Sequence, residues 1–277
     1  MSLVIEHRGR HYSADPASAV SLAITLEFDG RQPAFYGVEP ASANALEAGE
    51  FIGDTARGGS CNVARLTLIP HCHGTHTESV AHLTGNSPVA PRPPAWLAAQ
   101  IVSIEPTTLN DSGESYPAPG EGHEAVISRR ALSGFEIDTP ALIVRTLPNE
   151  ASKCERSYEG ANPHPYFTLE AVQWLVGQGL EHLLVDTPSI DRGCDDGSLP
   201  AHRRFWALDE NRKATDERAL DRTITEFIFV PDELPDGLYL LNLQLPDWKT
   251  DAVPSRPVVF RLAKEQPAGK EGWRKRG

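Results

Sequence analysis

Long apolar runs are missing from this chain of 277 residues. No stretch approaches the roughly 18 apolar positions that a membrane span needs. The residues after Met1 include Glu6, His7 and Arg8 in place of a signal peptide's apolar core. Neither a membrane segment nor a secretory leader is expected, and a cytoplasmic location is. Positive charge is in short supply. The 26 Lys and Arg against 38 Asp and Glu leave a formal net charge of −12, which argues against nucleic acid or an anionic membrane surface as partner. Cysteine is scarce too. Cys61, Cys72, Cys154 and Cys194 are widely spaced, as expected for reduced thiols and not for a disulfide frame. The acidic balance has one exception, the tail with Lys264, Lys270, Arg274, Lys275 and Arg276. It has little to bury and reads as a frayed end.

Histidine is the opposite case. Residues 71–82 read His-Cys-His-Gly-Thr-His-Thr-Glu-Ser-Val-Ala-His, so four of the chain's 10 histidines fall in one short stretch. Imidazole, carboxylate and thiolate are the side chains that bind divalent transition metals. In an extended chain alternate residues point the same way. Cys72, His76 and Glu78 would then share one side, with Gly74 leaving room between them. His82 lies four residues beyond Glu78, one turn away if the chain coils there. Cys72, His76 and Glu78 as ligands, with His82 close but unligated, would make an open site with a poised base. Closed structural zinc sites favour paired Cys-x-x-Cys spacing, which is absent here. The alternative, a His-rich surface loop that binds metal adventitiously, leaves the local density of donors unexplained.

The rest of the chain predicts a mixed sheet with helices on its faces. Val20–Leu26 alternates apolar and polar residues like a strand. Val63–Ile69, Ile101–Ile104 and Ala141–Val144 read as strands, the last apolar throughout as if covered on both faces. Asn86–Pro94 holds four prolines and reads as loop, as does Thr107–Gly122. Thr168 is placed to cap a helix that ends near Gly179. His182–Val185 then delivers Asp186 and Asp191 into a loop. Strands Thr223–Val230, Leu238–Leu245 and Pro257–Leu262 follow, with Asp236-Gly237 as a turn. No internal repeat is present.

Glu226 does not suit its neighbours. Ile224 and Ile228 share its face, and Phe227 and Phe229 lie on the other. A buried carboxylate is costly unless it is protonated, paired or metal-bound; the alternative is an exposed position on an edge strand. Asp186 and Asp191 sit where α/β proteins place functional groups, or serve as turn caps. His202 and His164 each read equally as structural or as site residues. Tyr36, Trp96, Trp206 and Trp248 could line an aromatic pocket or pack the core.

With these residues in view, the chain resembles the cyclase / kynurenine formamidase family of metal-dependent hydrolases, which includes arylformamidases and isatin hydrolase. That family's signature looks like His-x-Gly-Thr-His-x-Asp-x-Pro-x-His. The matching stretch here is Cys72-His73-Gly74-Thr75-His76-Thr77-Glu78-Ser79-Val80-Ala81-His82. The segment Asp186-Thr187-Pro188-Ser189-Ile190-Asp191 is similar to the family's Asp-x-x-Ser-Ile/Val-Asp loop. A later His and Glu are matched by His202 and by Glu226 in Thr-Ile-Thr-Glu. The similarity spans roughly residues 18 to 262. Three departures stand out: Cys72 aligns with the family's first His, Glu78 replaces its Asp, and Val80 replaces its Pro. His71 or His73 could stand in for that His only if the loop shifts.

The resemblance implies a single α/β domain over residues 1–262, a mixed sheet with flanking helices of the swivelling β/β/α kind, followed by the basic tail 263–277. It implies metal ligands at Cys72, His76, Glu78, His202 and Glu226, with His82 as general base. The implied cofactor is one or two divalent ions per subunit, zinc if Cys72 ligates and manganese if it does not. The partner would be a small-molecule substrate with an amide, cyclic amide or ester bond, as in the kynurenine formamidase step of tryptophan catabolism. The chain would form a homo-oligomer, a dimer. Two other functions stay open: a cyclase or lyase on the same fold, and a metal- or ligand-binding protein without turnover.

Overall fold

The computed structural model describes residues 3–85, 93–117, 120–159 and 163–264. Most of the proline-rich 86–94 loop and nearly all of the basic tail therefore lie outside the described residues. The core is an eleven-stranded sheet. Its strands are β1 (Leu3–His7), β2 (Arg10–Ala14), β3 (Val20–Ser21), β4 (His76–Glu78), β5 (Trp96–Ile104), β6 (Ala141–Thr146), β7 (His182–Val185), β8 (Thr223–Glu226), β9 (Gly237–Asn242), β10 (Ala252–Pro254) and β11 (Val258–Lys264). Their order is β1-β2-β11-β9-β5-β6-β7-β8-β4-β10, with β3 beside β11. β5 to β8 run parallel. β9 joins them antiparallel at one side and β4 at the other.

The parallel centre follows from composition. Ala141–Val144 and Leu183–Val185 are apolar without alternation, and all are fully buried, as strands covered on both faces must be. Val102, Ile104, Leu142, Val144, Leu183, Val185 and Ile224 face one core with Phe205 and Trp206. Ala99, Ile101, Ile143 and Leu184 face a second core with Leu22, Ile228 and Leu241. Each fully buried aliphatic side chain contributes about 1.5–3 kcal/mol.

Three short helices carry site residues, α1 (Pro70–His73), α2 (Ala81–Thr84) and α4 (Pro200–Phe205), and α3 (Leu169–Gly177) packs in the core. Thr168 caps α3 as expected, its hydroxyl accepting the Ala171 N–H at 3.1 Å. Gly179 follows with φ 83°, the left-handed turn that ends the helix.

Four sequence expectations change. Thr107–Gly122 is not loop throughout: Thr107–Thr108 pairs with Val126 and Ala125, and Leu109–Ser112 is a helical turn capped by Thr108. Only Val20–Ser21 of the first predicted strand pairs with β11; beyond it the chain continues through an isolated bridge from Ala23 to Ile228. Ala64–Thr67 is a strand but not part of the main sheet. It pairs with Ser42–Ala45 in an exposed two-stranded ribbon. Thr223–Val230 is cut short because Phe227 takes a left-handed backbone, φ 55°, and ends β8 just after Glu226.

Candidate metal and catalytic site

β4 is the organising element. It lies between β8 and β10, antiparallel to both, so Glu226 stands opposite His76 and Ile224 opposite Glu78. Three residues pinned on both edges have little freedom. His76 and Glu78 point the same way, as alternation requires, into a fully buried space.

Upstream of β4 the expected extended chain is not found. Pro70 starts a helical turn, and Ile69 O accepts the N–H of Cys72 at 3.0 Å and of His73 at 3.1 Å. Pro suits this first helical position because it has no N–H to lose and its φ is already helical. A turn advances about 1.5 Å per residue instead of about 3.3 Å, so the two-residue alternation lapses. His71, and not Cys72, therefore reaches Glu78. Its Nδ1 lies 3.3 Å from Glu78 Oε2. Cys72 Sγ joins no cluster of potential metal ligands among the described residues, and burial pushes its thiol pKa up. His73 is fully engaged elsewhere. Its Nδ1 accepts the Ile69 N–H at 2.8 Å and its Nε2 lies 2.9 Å from Glu39 O.

His202 arrives from α4. Asp191 holds it there, its carboxylate accepting the backbone N–H groups of Ala201 at 2.7 Å and of His202 at 3.0 Å. The same carboxylate lies 2.6 Å from His202 Nδ1. Cap and functional partner, the two readings of Asp191, are thus one arrangement. His202 Nε2 is left facing inward, 2.8 Å from Glu78 Oε1 and 3.6 Å from Glu226 Oε1. Glu226 also accepts the Ile190 N–H at 2.9 Å and lies 3.4 Å from His76 Nε2.

His71, His76 and Glu78 form one group able to hold an ion, and Glu78, His202 and Glu226 form another. Glu78 belongs to both. His76 Nε2 and both Glu78 oxygens are buried without an aligned hydrogen-bond partner. Buried polar atoms without partners are uncommon and need an explanation. Two imidazoles and a carboxylate at the first position, and one imidazole and two carboxylates at the second, fit a divalent cation in both donor type and spacing.

Burial and neighbouring charge pull the titration of these groups in opposite directions. Burial alone would raise the Glu78 pKa, but the His82 and His202 charges beside it hold the carboxyl well below its usual range. Burial would lower the His202 pKa, but Glu78 and Asp191 raise it well above the ordinary value. His71 follows the same pattern: burial opposes its charge, Asp251 and Glu78 favour it, and its pKa is pushed up to about 10.

His82, on α2, has Nε2 3.9 Å from Glu78 Oε2 and Nδ1 3.2 Å from Asp251 Oδ2. Asp251 has no sequence signal of its own. It follows Trp248-Lys249-Thr250 in a stretch with no periodicity, and only the pairing of β10 with β4 brings it to the site. His71, His82 and Asp251 form a third, half-exposed group.

The remaining candidates lie apart. Asp186 pairs with buried Lys153 at 2.8 Å and accepts the Thr146 N–H, bracing the ends of β6 and β7. His164 is buried, its Nε2 2.8 Å from Asp191 O, and burial lowers its pKa to about 4. Trp206 is core, whereas Trp96 and Trp248 are exposed. Of the four aromatics considered, Tyr36 alone lines a cavity of about 430 Å³ shared with Phe35, Tyr158, His164, Tyr166 and Arg192. The four cysteines are free. No helix among the described residues is long and apolar enough to cross a membrane.

A family model described as "Putative cyclase" matches residues 20–192. No curated protein matches the chain in sequence. Among solved structures, a potential metal-dependent hydrolase with cyclase activity aligns at 13% identity and TM-score 0.58, covering 88% of this chain and 98% of its own. Isatin hydrolase A from Labrenzia aggregata, bound to benzyl benzoate, aligns at 15% identity and TM-score 0.57, covering 89% and 94%. Isatin hydrolase A from Ralstonia solanacearum aligns at 16% identity and TM-score 0.57, covering 87% and 91%. At these identities the structures share the fold: a mixed sheet with few helices.

Proposed function

The chain belongs to the cyclase family, and from that premise we propose that it is a metal-dependent hydrolase opening an amide, cyclic amide or ester bond. The observation that carries this reading is the convergence of His71, His76, Glu78, His202 and Glu226, all but His71 buried, with three of their polar atoms lacking an aligned hydrogen-bond partner. His71, His76 and Glu78 would hold one ion. Glu78, His202 and Glu226 would hold a second, with Glu78 shared. An ion there supplies Lewis acidity, drawing charge from a carbonyl oxygen and making water a stronger acid.

His82 is the proposed base. Its Nε2 faces Glu78 but stands a step outside the ligand groups, so it can take a proton from the attacking water and return it to the leaving nitrogen or oxygen. Glu226 is fixed by the Ile190 N–H and His202 by Asp191, so neither needs to reorganise during turnover. The ligands are imidazole and carboxylate, which suits zinc and manganese alike. The thiolate argument for zinc lapses with Cys72 out of reach. The aromatic cavity supports a planar, arylformamide- or isatin-like substrate. It lies one ring away from the site, since Tyr158 packs on Phe227, whose ring centroid is 6.2 Å from that of His76. A small-molecule substrate, a homo-oligomer and a cytoplasmic setting are part of the same proposal.

Metal analysis of the purified protein tests the site, followed by a screen of N-formyl anilides, lactams and lactones. His76→Ala should lose metal, and full occupancy in that variant would refute the assignment. The family description favours a second reading, a cyclase or lyase that uses the same ion and base to stabilise an enolate. Turnover in ¹⁸O-labelled water separates the two, because only hydrolysis places the label in product. A binding protein without turnover would show metal but no activity on any substrate, and His82→Ala would leave its biological role intact.

A further inference from the structure

Asp251 touches both proton-bearing rings at the outer edge of the site. Its Oδ2 lies 2.9 Å from His71 Nε2 and 3.2 Å from His82 Nδ1. The two rings lie side by side, with centroids 4.3 Å apart and planes tilted by 33°. Asp251 is itself held. The Thr250 hydroxyl donates to its Oδ1 at 3.0 Å, and its backbone carbonyl accepts the Ser79 N–H at 3.0 Å and the Ser79 hydroxyl at 3.3 Å. Immediately after it, β10 pairs with β4.

A carboxylate can only accept hydrogen bonds, and a neutral imidazole has one N–H to give. In its neutral form each ring therefore spends its one proton on Asp251. His71 is left with a lone pair on Nδ1 and His82 with one on Nε2. Those two nitrogens face the same atom, Glu78 Oε2, at 3.3 Å and 3.9 Å. The opposite tautomers would turn an N–H toward the ion at His71 and toward the water at His82, which would spoil a ligand and a base together. Metal-ligating histidines commonly rest on such a carboxylate, and so do catalytic bases. Here one oxygen serves both.

We propose that Asp251 is a positioning residue that sets the tautomers of both His71 and His82, making one a metal ligand and the other a proton acceptor. It acts through the two rings and touches neither ion nor substrate. The inference rests on the metal-site reading above, but not on which bond is broken.

The test is a long-range ¹H–¹⁵N correlation spectrum of the zinc-loaded full chain, with ¹⁵N-labelled histidine. Zinc is diamagnetic, and His71→Gln and His82→Gln assign the two rings. The expected result is His71 protonated on Nε2 and His82 on Nδ1. A proton on His71 Nδ1 or on His82 Nε2 overturns the proposal. In Asp251→Asn the zinc affinity should fall by about 10- to 100-fold, the usual cost of losing such a partner. With metal saturating, kcat should fall while KM stays near the wild-type value, and Asp251→Glu should recover part of both losses. Unchanged tautomers and affinity in Asp251→Asn would refute the idea. If that variant fails to fold, the wild-type spectrum still decides. If the hydrolase reading is wrong, no substrate is turned over, yet the tautomers and zinc affinity remain readable.

Discussion

The two halves of the site are built differently. Glu78, His76, Glu226 and His202 form an inner half that is at most 3% exposed. Three of these sit on adjacent strands, and the fourth is tied down by Asp191. His71, His82 and Asp251 form an outer half that is partly open to solvent and carried on single helical turns and a loop. Burial makes every charge in the inner half expensive unless it is matched, so that half suits cations held permanently. The outer half keeps the solvent contact that proton exchange would need. On the proposed reading, a ligand cage and a proton-transfer face would thus share Glu78 as their common wall.

Removing that wall should have the largest effect. Glu78→Gln is expected to lose ions from both positions and to lose activity by about 10³-fold or more, since a Lewis acid is worth several kcal/mol in the transition state. Elemental analysis and kinetics check this, and one fully retained ion would show that Glu78 is not shared. His82→Ala should separate the halves. It should keep its metal and lose about 10²- to 10⁴-fold in turnover, the usual worth of general acid–base help. Arrival without metal would move His82 into the cage.

Asp191→Asn probes the inner half from behind. His202 would lose the anion that orients it, and metal affinity should fall by about 10- to 100-fold, as read by competition with a chromogenic chelator. A fourth outcome concerns pH. In the metal-free protein the His71 pKa is raised to about 10 and that of His202 well above its usual value. An incoming ion must displace those protons, so apparent affinity should climb with pH, by up to about tenfold per unit for each proton released. For His71 the climb should end near pH 10. Affinity that falls over that range would contradict the contact between His71 and the ion. The smallest effect is expected from Cys72→Ser: unchanged metal content and a stability loss of about 1 kcal/mol. Cobalt substitution gives the sharper check, because the wild type should lack a thiolate charge-transfer band.

The inner half was legible in the sequence because strands obey a two-residue rule. His76 and Glu78 share a face for that reason, and Glu226 announced itself as a carboxylate among Ile224, Phe227 and Ile228. The central strands were legible too, through apolar runs such as Ala141–Val144. The outer half was not. One helical turn after Pro70 replaced Cys72 with His71, and local pattern does not report where such a turn begins. Asp251 depends on β10 pairing with β4, a contact spanning most of the chain that no nearby residue signals. Phe227 shortened β8 through a backbone conformation that an aromatic side chain does not advertise.

The place of β4 between β8 and β10 also sets a timetable. The Thr77–Thr225 contact closes a separation of 148 residues, and the His71–Asp251 contact one of 180. At the roughly 5–20 residues per second of synthesis, the His-rich segment leaves the ribosome roughly seven to thirty seconds before Glu226 does. During that interval β4 has neither neighbour, and its imidazoles and carboxylate are a loose, weak chelator. Contacts this distant in sequence also close slowly. On the proposed reading, metal capture would therefore come late in the life of each new chain, and a nascent polypeptide stalled before β8 would carry the His-rich segment without the partners that complete its site.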